Sequence, residues 1–233
     1  MAQIVTVCIC ADVPTEQVAN AAKAAFISAV SLLPRSQALL RSRDASQLHP
    51  HFVHTARRRS RGELVAPREH LAAGAPVRLL NLDWMAQYGY DVARNRWHVW
   101  NQVVKGTQAA KPLSHFIDRH RSTPDDRYTL AQAHRDYQSQ SRVAAMEIYN
   151  RSGRGLMHLP LDHLEALQVS CEAYAEIGYQ VAVPGNAIVD RHGVLFECRP
   201  NSPLATVWEF ISKTRSALQD LSADDRLVAL IVQ

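Results

Sequence analysis

The sequence predicts an α/β (or α+β) fold of small mixed sheets flanked by helices, and three observations predict it. Residues 4–11 are β-branched and apolar on both faces, as a buried strand requires, and Pro14, Thr15 and Glu16 then open a helix. After Pro160 the chain is punctuated into a helix, three short strands, a helix and a final apolar strand, an α-β-β-β-α-β unit. With 233 residues, 47% of them apolar, the chain can bury about 70% of the surface its unfolded form exposes, enough for one core or two small ones.

Taken in order, the first helix carries Val18, Ala22, Ala25, Ala29 and Leu32 at helical spacing. From Pro34 to Gly74 periodicity weakens, with Arg41, Arg43, Arg57, Arg58, Arg59 and Arg61 among Ser, His and Pro, and only residues 51–56 read as a strand. Residues 76–82 read as another. In residues 83–104 the spacing of Ala93, Trp97, Trp100 and Val104 is helical, and Trp84 adds a further tryptophan. Thr123 is placed to cap a helix to about Asn150, with Pro124 in its first turn and Asp125 and Asp126 on its dipole, until Ser152, Gly153 and Gly155 break it. Pro160 opens a helix with Leu164, Leu167, Cys171 and Ala175 on one face, ended by Gly178. Strands at 179–183, 187–190 and 194–199 follow, joined by Pro184-Gly185 and Arg191-His192-Gly193 turns. Ser202 and Pro203 start a helix with Val207, Ile211, Thr214 and Leu218 in register, before a strand at 227–232. The expected division is an N-terminal region, 1–150, and a C-terminal α/β core, 151–233, with one compact domain as the alternative.

No apolar run approaches the ~20 residues of a membrane span, and the N-terminus lacks the basic flank and apolar core of a secretion signal. Cys8, Cys10, Cys171 and Cys198 are too few and too scattered for a disulfide framework. A cytoplasmic protein without membrane contact is the expectation. The formal charge is +4, and Lys23, Lys105, Lys111 and Lys213 are the only lysines among 26 basic residues. Nearly all positive charge is therefore the planar guanidinium fork that suits phosphate and carboxylate.

Those arginines mark the candidate binding residues. Arg57, Arg58, Arg59 and Arg61 form a cluster able to release counterions from a phosphate backbone. Residues 85–104 can be laid out as a helix-turn-helix, with a turn near Gly89 and with Arg94, Asn95, Arg96 and His98 facing a groove. Tyr90 and Asp91 in that turn favour a single tryptophan-anchored helix instead. Arg127, His134, Arg135, Gln138 and Arg142 line the polar face of the helix placed after Thr123. His49, His51 and His54 lack a nearby cysteine or carboxylate to complete a metal site, and neither a G-x-S-x-G elbow nor a phosphate-cradling glycine loop is present.

The C-terminal element order, together with Glu197-Cys198-Arg199-Pro200, resembles the core of the PD-(D/E)xK nuclease superfamily over residues 160–232. The resemblance implies Glu197 as a magnesium-binding carboxylate and Arg199 where the family's lysine stands, so Mg2+ is expected only under this reading. A hairpin through residues 191–193 pairs Asp190 with Val194, Ile188 with Phe196 and Ala187 with Glu197. Asp190 then lies about 10 Å along the strand from Glu197. Asn186, nearest the family's aspartate, brings no charge to an ion, and Arg199 does not release a proton. These departures point toward holding a phosphate chain rather than cutting one. The leading expectation is a nucleic-acid-binding accessory protein in DNA or RNA processing. A PD-(D/E)xK-type nuclease and a protein-interaction or assembly subunit are the alternatives.

Overall fold

A computed structural model describes residues 3–32, 47–123, 127–153, 155 and 157–232. It is a mixed α/β structure, with a mixed sheet and a small second sheet flanked by helices. The chain divides into two units that are discontinuous in sequence. The first comprises residues 1–89, 179–199 and 208–233, and the second residues 90–178 and 200–207. The boundary expected near residue 150 falls inside the second unit, because strands from both ends of the chain complete one sheet.

In the first unit β1 (Gln3–Ile9) is the inner strand. It runs antiparallel to β8 (Arg226–Val232), with Val5 opposite Leu230 and Val7 opposite Val228. It runs parallel to β6 (Ala187–Val189), with Val5 opposite Ala187 and Val7 opposite Val189. β7 (Leu195–Glu197) adds to β6, while β2 (Gln47–Leu48) and β5 (Gly74–Pro76) both pair with β8. Because strand side chains alternate, Val5, Val7, Val189, Val228 and Leu230 share one face. α1 (Thr15–Ser31) covers that face with Val18, Ala22, Phe26, Ala29 and Val30, all buried. The other face carries Cys8, Ile188, Leu227 and Ala229. It packs on β3 (Phe52–Val53), on β4 (Leu71–Ala72), which pairs with β3, and on Ala217.

The hairpin register is the expected one: Ala187 pairs with Glu197, Ile188 with Phe196, and Asp190 N–H donates to the Val194 C=O at 3.0 Å. Residues 179–181, expected as strand, instead finish α7 (Cys171–Val181), which continues through Gly178. Gly185 stops it at φ +71°, where an added Cβ would sit 2.9 Å from the Ile4 carbonyl oxygen. Residues 77–82 are not a strand either. Val77 and Arg78 N–H groups donate to the Asp225 and Ala223 carbonyls, which curls Val77–Leu79 into a 3₁₀ turn.

α2 (Leu82–Val103) is continuous through Gly89, so there is no helix-turn-helix break. In the second unit α3 (Leu113–Ser122) ends where a helix was expected to begin, and the Thr123 hydroxyl donates to the Arg119 carbonyl. Pro124, Asp125 and Asp126 lie outside the described residues. The true start is six residues on. Thr129 Oγ1 accepts from the Gln132 N–H while the Gln132 side chain accepts from the Thr129 N–H, a reciprocal capping box for α4 (Leu130–Ser139). α5 (Ser141–Arg151) follows after an extended Gln140. The helix expected from Pro160 is interrupted after α6 (Leu164–Leu167), because Ser170 Oγ accepts from the Ala173 N–H and caps α7 afresh. α8 (Leu204–Gln219) starts after Pro203 as expected. All four cysteines are free thiols, and no described helix is long and apolar enough to cross a membrane.

Candidate nucleic-acid interface

Arg57, Arg58, Arg59 and Arg61 are brought together by a 3₁₀ turn over Arg58–Glu63, whose start is fixed by Ser60 N–H donating to the Arg57 C=O at 3.0 Å. Both ends of the turn are anchored. Thr55 N–H donates to the Leu79 C=O at 2.8 Å before it, and Leu64 and Val65 are buried after it, with Val65 N–H donating to the Gly74 C=O. The four arginines between the anchors are exposed. Three residues per turn place Arg58 and Arg61 on one side of the turn, about 6 Å apart along its axis.

The local charge balance decides what this turn can hold. Glu63, its only carboxylate, is ion-paired with Arg78, whose Nε also lies 2.7 Å from Asp224. The Glu63 carbonyl accepts from Arg226 Nη1. Among the described residues no ion pair neutralises Arg57, Arg58, Arg59 or Arg61. Arg68, exposed farther along the segment beside an equally exposed Glu69, is absent from the sequence expectation.

The remaining expected binding residues divide. Arg127 and Arg135 are exposed in the second unit. Arg94 is exposed but draws on Cys171, whose Sγ lies 3.9 Å from His98 Nε2. Burial and then Glu172 push that thiol up, against the pull of Arg94. Arg96 is half-buried, with an Nε that has no partner among the described residues, and it hydrogen-bonds Tyr174. The Tyr174 hydroxyl meets His163 Nδ1 at 2.9 Å. Arg142 does not lie on an open polar face. Its Nε donates to Thr107 Oγ1, its Nη2 to the Thr107 C=O and its Nη1 to Gln168 Oε1, with the guanidinium 5.5 Å over the Trp100 ring. Those bonds make it a clamp on the loop after α2, beside a cleft of about 340 Å3 lined by Trp100, Lys105 and Thr107.

At the hairpin, Glu197 Oε1 lies 2.7 Å from Arg199 Nε. Asn186 Oδ1 accepts from the Ile4 N–H, and Asp190 Oδ1 accepts from the His192 and Val194 N–H groups. Glu197, Asn186 and Asp190 thus each have a partner in the fold. No three His, Cys, Asp or Glu side chains converge to hold a metal among the described residues.

The tryptophans also separate. Trp100 is buried at 4% exposure, its indole N–H without a partner among the described residues. Trp84 is 49% exposed, so only part of the tryptophan series anchors a core. It stacks on Tyr88, 58% exposed, with ring centroids 5.1 Å apart and planes 6° from parallel. The sequence expectation missed this pair, although the i, i+4 spacing of Trp84 and Tyr88 places them on one helix face. Comparison with protein-family models, with curated proteins and with solved structures returns no match.

Proposed function

We propose that this chain is a nucleic-acid-binding accessory protein that holds a phosphate backbone on the Arg57–Arg61 turn. The observation that carries the reading is four exposed guanidinium groups on one anchored turn whose single carboxylate is already taken by Arg78. Guanidinium groups left unneutralised by the fold give affinity by displacing counterions from phosphates, without reading base sequence. Side chains held at both ends of a short turn lose less freedom on binding than a loose tail does.

The test is fluorescence anisotropy of labelled DNA and RNA oligonucleotides between 50 and 200 mM salt. Four phosphate contacts predict an affinity loss on the order of 10²-fold over that range for duplex DNA. The variant R57Q/R58Q/R59Q/R61Q flattens the salt dependence. Undetectable binding at 50 mM salt, or an unchanged slope in the variant, overturns the proposal and returns the chain to the protein-assembly reading.

A further inference from the structure

The stacked pair Trp84 and Tyr88 lies on the first two turns of α2, in the same unit as the arginine turn. Leaving about half of two large aromatic side chains in water forgoes burial that ordinarily stabilises them. Stacked on each other, the two side chains still keep 49% and 58% of their surface in water, aromatic area on which a flat heterocycle can stack.

Their position relative to the arginines follows from backbone contacts. Asn81 N–H donates to the Val53 C=O at 2.8 Å, Val53 N–H meets Met85 Sδ, and Asn81 Oδ1 accepts from the Trp84 N–H. Arg57 follows Val53 by four residues, so chain connectivity keeps it within about 25 Å of Trp84. Even at the ~3.4 Å rise of a fully stacked strand that upper bound is about eight nucleotides, and an extended unpaired strand spans it with fewer, so a single-strand site of 4–16 nucleotides reaches both features. Two carboxylates stand near the rings on α2: Asp83 in its first turn, where it complements the helix dipole, and exposed Asp91 one turn past Tyr88.

We infer that Trp84 and Tyr88 form a stacking platform for unpaired bases, so that the polymer held by the arginine turn is single-stranded. The inference rests on the nucleic-acid reading above. Bases paired in a duplex keep their faces covered by their neighbours, whereas an unpaired strand offers them to aromatic side chains. Charge complementarity selects a polynucleotide over a protein as the occupant, because the neighbouring Arg57, Arg58, Arg59 and Arg61 are not neutralised among the described residues.

The experiment measures binding of the full chain to dT12, rU12 and a 12-base-pair duplex, using wild type, W84A/Y88A and W84F/Y88F. Expected are tighter binding of the single strands than of the duplex and a loss of at least about tenfold in W84A/Y88A for the single strands. The salt slope stays unchanged, and W84F/Y88F, which keeps two stacking rings, retains most of the affinity. Single-strand affinity that survives W84A/Y88A, or a duplex bound as tightly as the single strands, overturns the stacking platform while leaving the arginine reading standing. A wild-type chain that binds no polymer at low salt overturns both. If W84A/Y88A alters only the mass in solution, by light scattering, the rings are a protein contact and the inference fails.

Discussion

Asn186 is bonded to Ile4 twice: its Oδ1 accepts from the Ile4 N–H at 3.0 Å, and its own N–H donates to the Ile4 carbonyl at 2.9 Å. A side-chain amide thereby continues the β1–β6 ladder past its last strand pair. Asn186→Ala leaves the Ile4 donor without this partner and costs about 0.5–1.5 kcal/mol. Asn186→Asp keeps an acceptor and costs less. Urea unfolding of the two variants separates these outcomes, and equal losses would show that the amide N–H rather than the oxygen matters.

His51 makes stability depend on pH. Burial holds its imidazole below the ordinary 6.5, and the nearby His49 adds to this, while Nε2 donates to the Val183 C=O at 3.1 Å and opposes it. As pH falls through 6.5 the unfolded chain takes up a proton that folded His51 resists, so this contribution is present above 6.5 and is lost toward the lower folded value. The stability gap between wild type and His51→Gln therefore narrows from pH 7.5 to pH 5.5. Denaturant melts at both pH values measure it, and a constant gap removes His51 as the cause.

Two threonines compete for the role of helix cap, and only one fills it. Thr129→Ala removes the acceptor for the Gln132 N–H and costs about 1 kcal/mol. Thr123→Ala loses only an exposed bond to the Arg119 carbonyl at the end of α3, a few tenths of a kcal/mol. Circular dichroism followed through urea reports both, and a reversed order would move the helix start back to Thr123.

Much of the first unit was legible because its signals are local. β1, α1, the β6–β7 hairpin register, α8 and β8 each follow from apolar period and turn residues within a few positions. Where legibility failed, a stronger local signal was overruled. Thr123-Pro124-Asp125-Asp126 has the composition of a helix start, but the reciprocal Thr129–Gln132 bonds form instead. Residues 179–183 carry strand-forming side chains, yet the helix capped at Ser170 propagates through 181, since each further residue adds a hydrogen bond at little cost once nucleated.

By itself the sequence determined the mixed α/β class, the arginine dominance over lysine and the presence of a basic cluster at Arg57–Arg61. Composition and period suffice for these. Tertiary structure alone decided which arginines remain available. Arg142 is consumed by Thr107 and Gln168, Arg78 by Glu63 and Asp224, and Arg199 by Glu197, whereas the four on the 3₁₀ turn are left exposed. It also decided that Trp84 faces water while Trp100 does not. The physical reason is common to both: a side chain's charge or ring counts toward binding only after the fold has taken its own hydrogen bonds and buried area, and partners such as Thr107 and Gln168 for Arg142 or Asp224 for Arg78 lie tens of residues away in the chain.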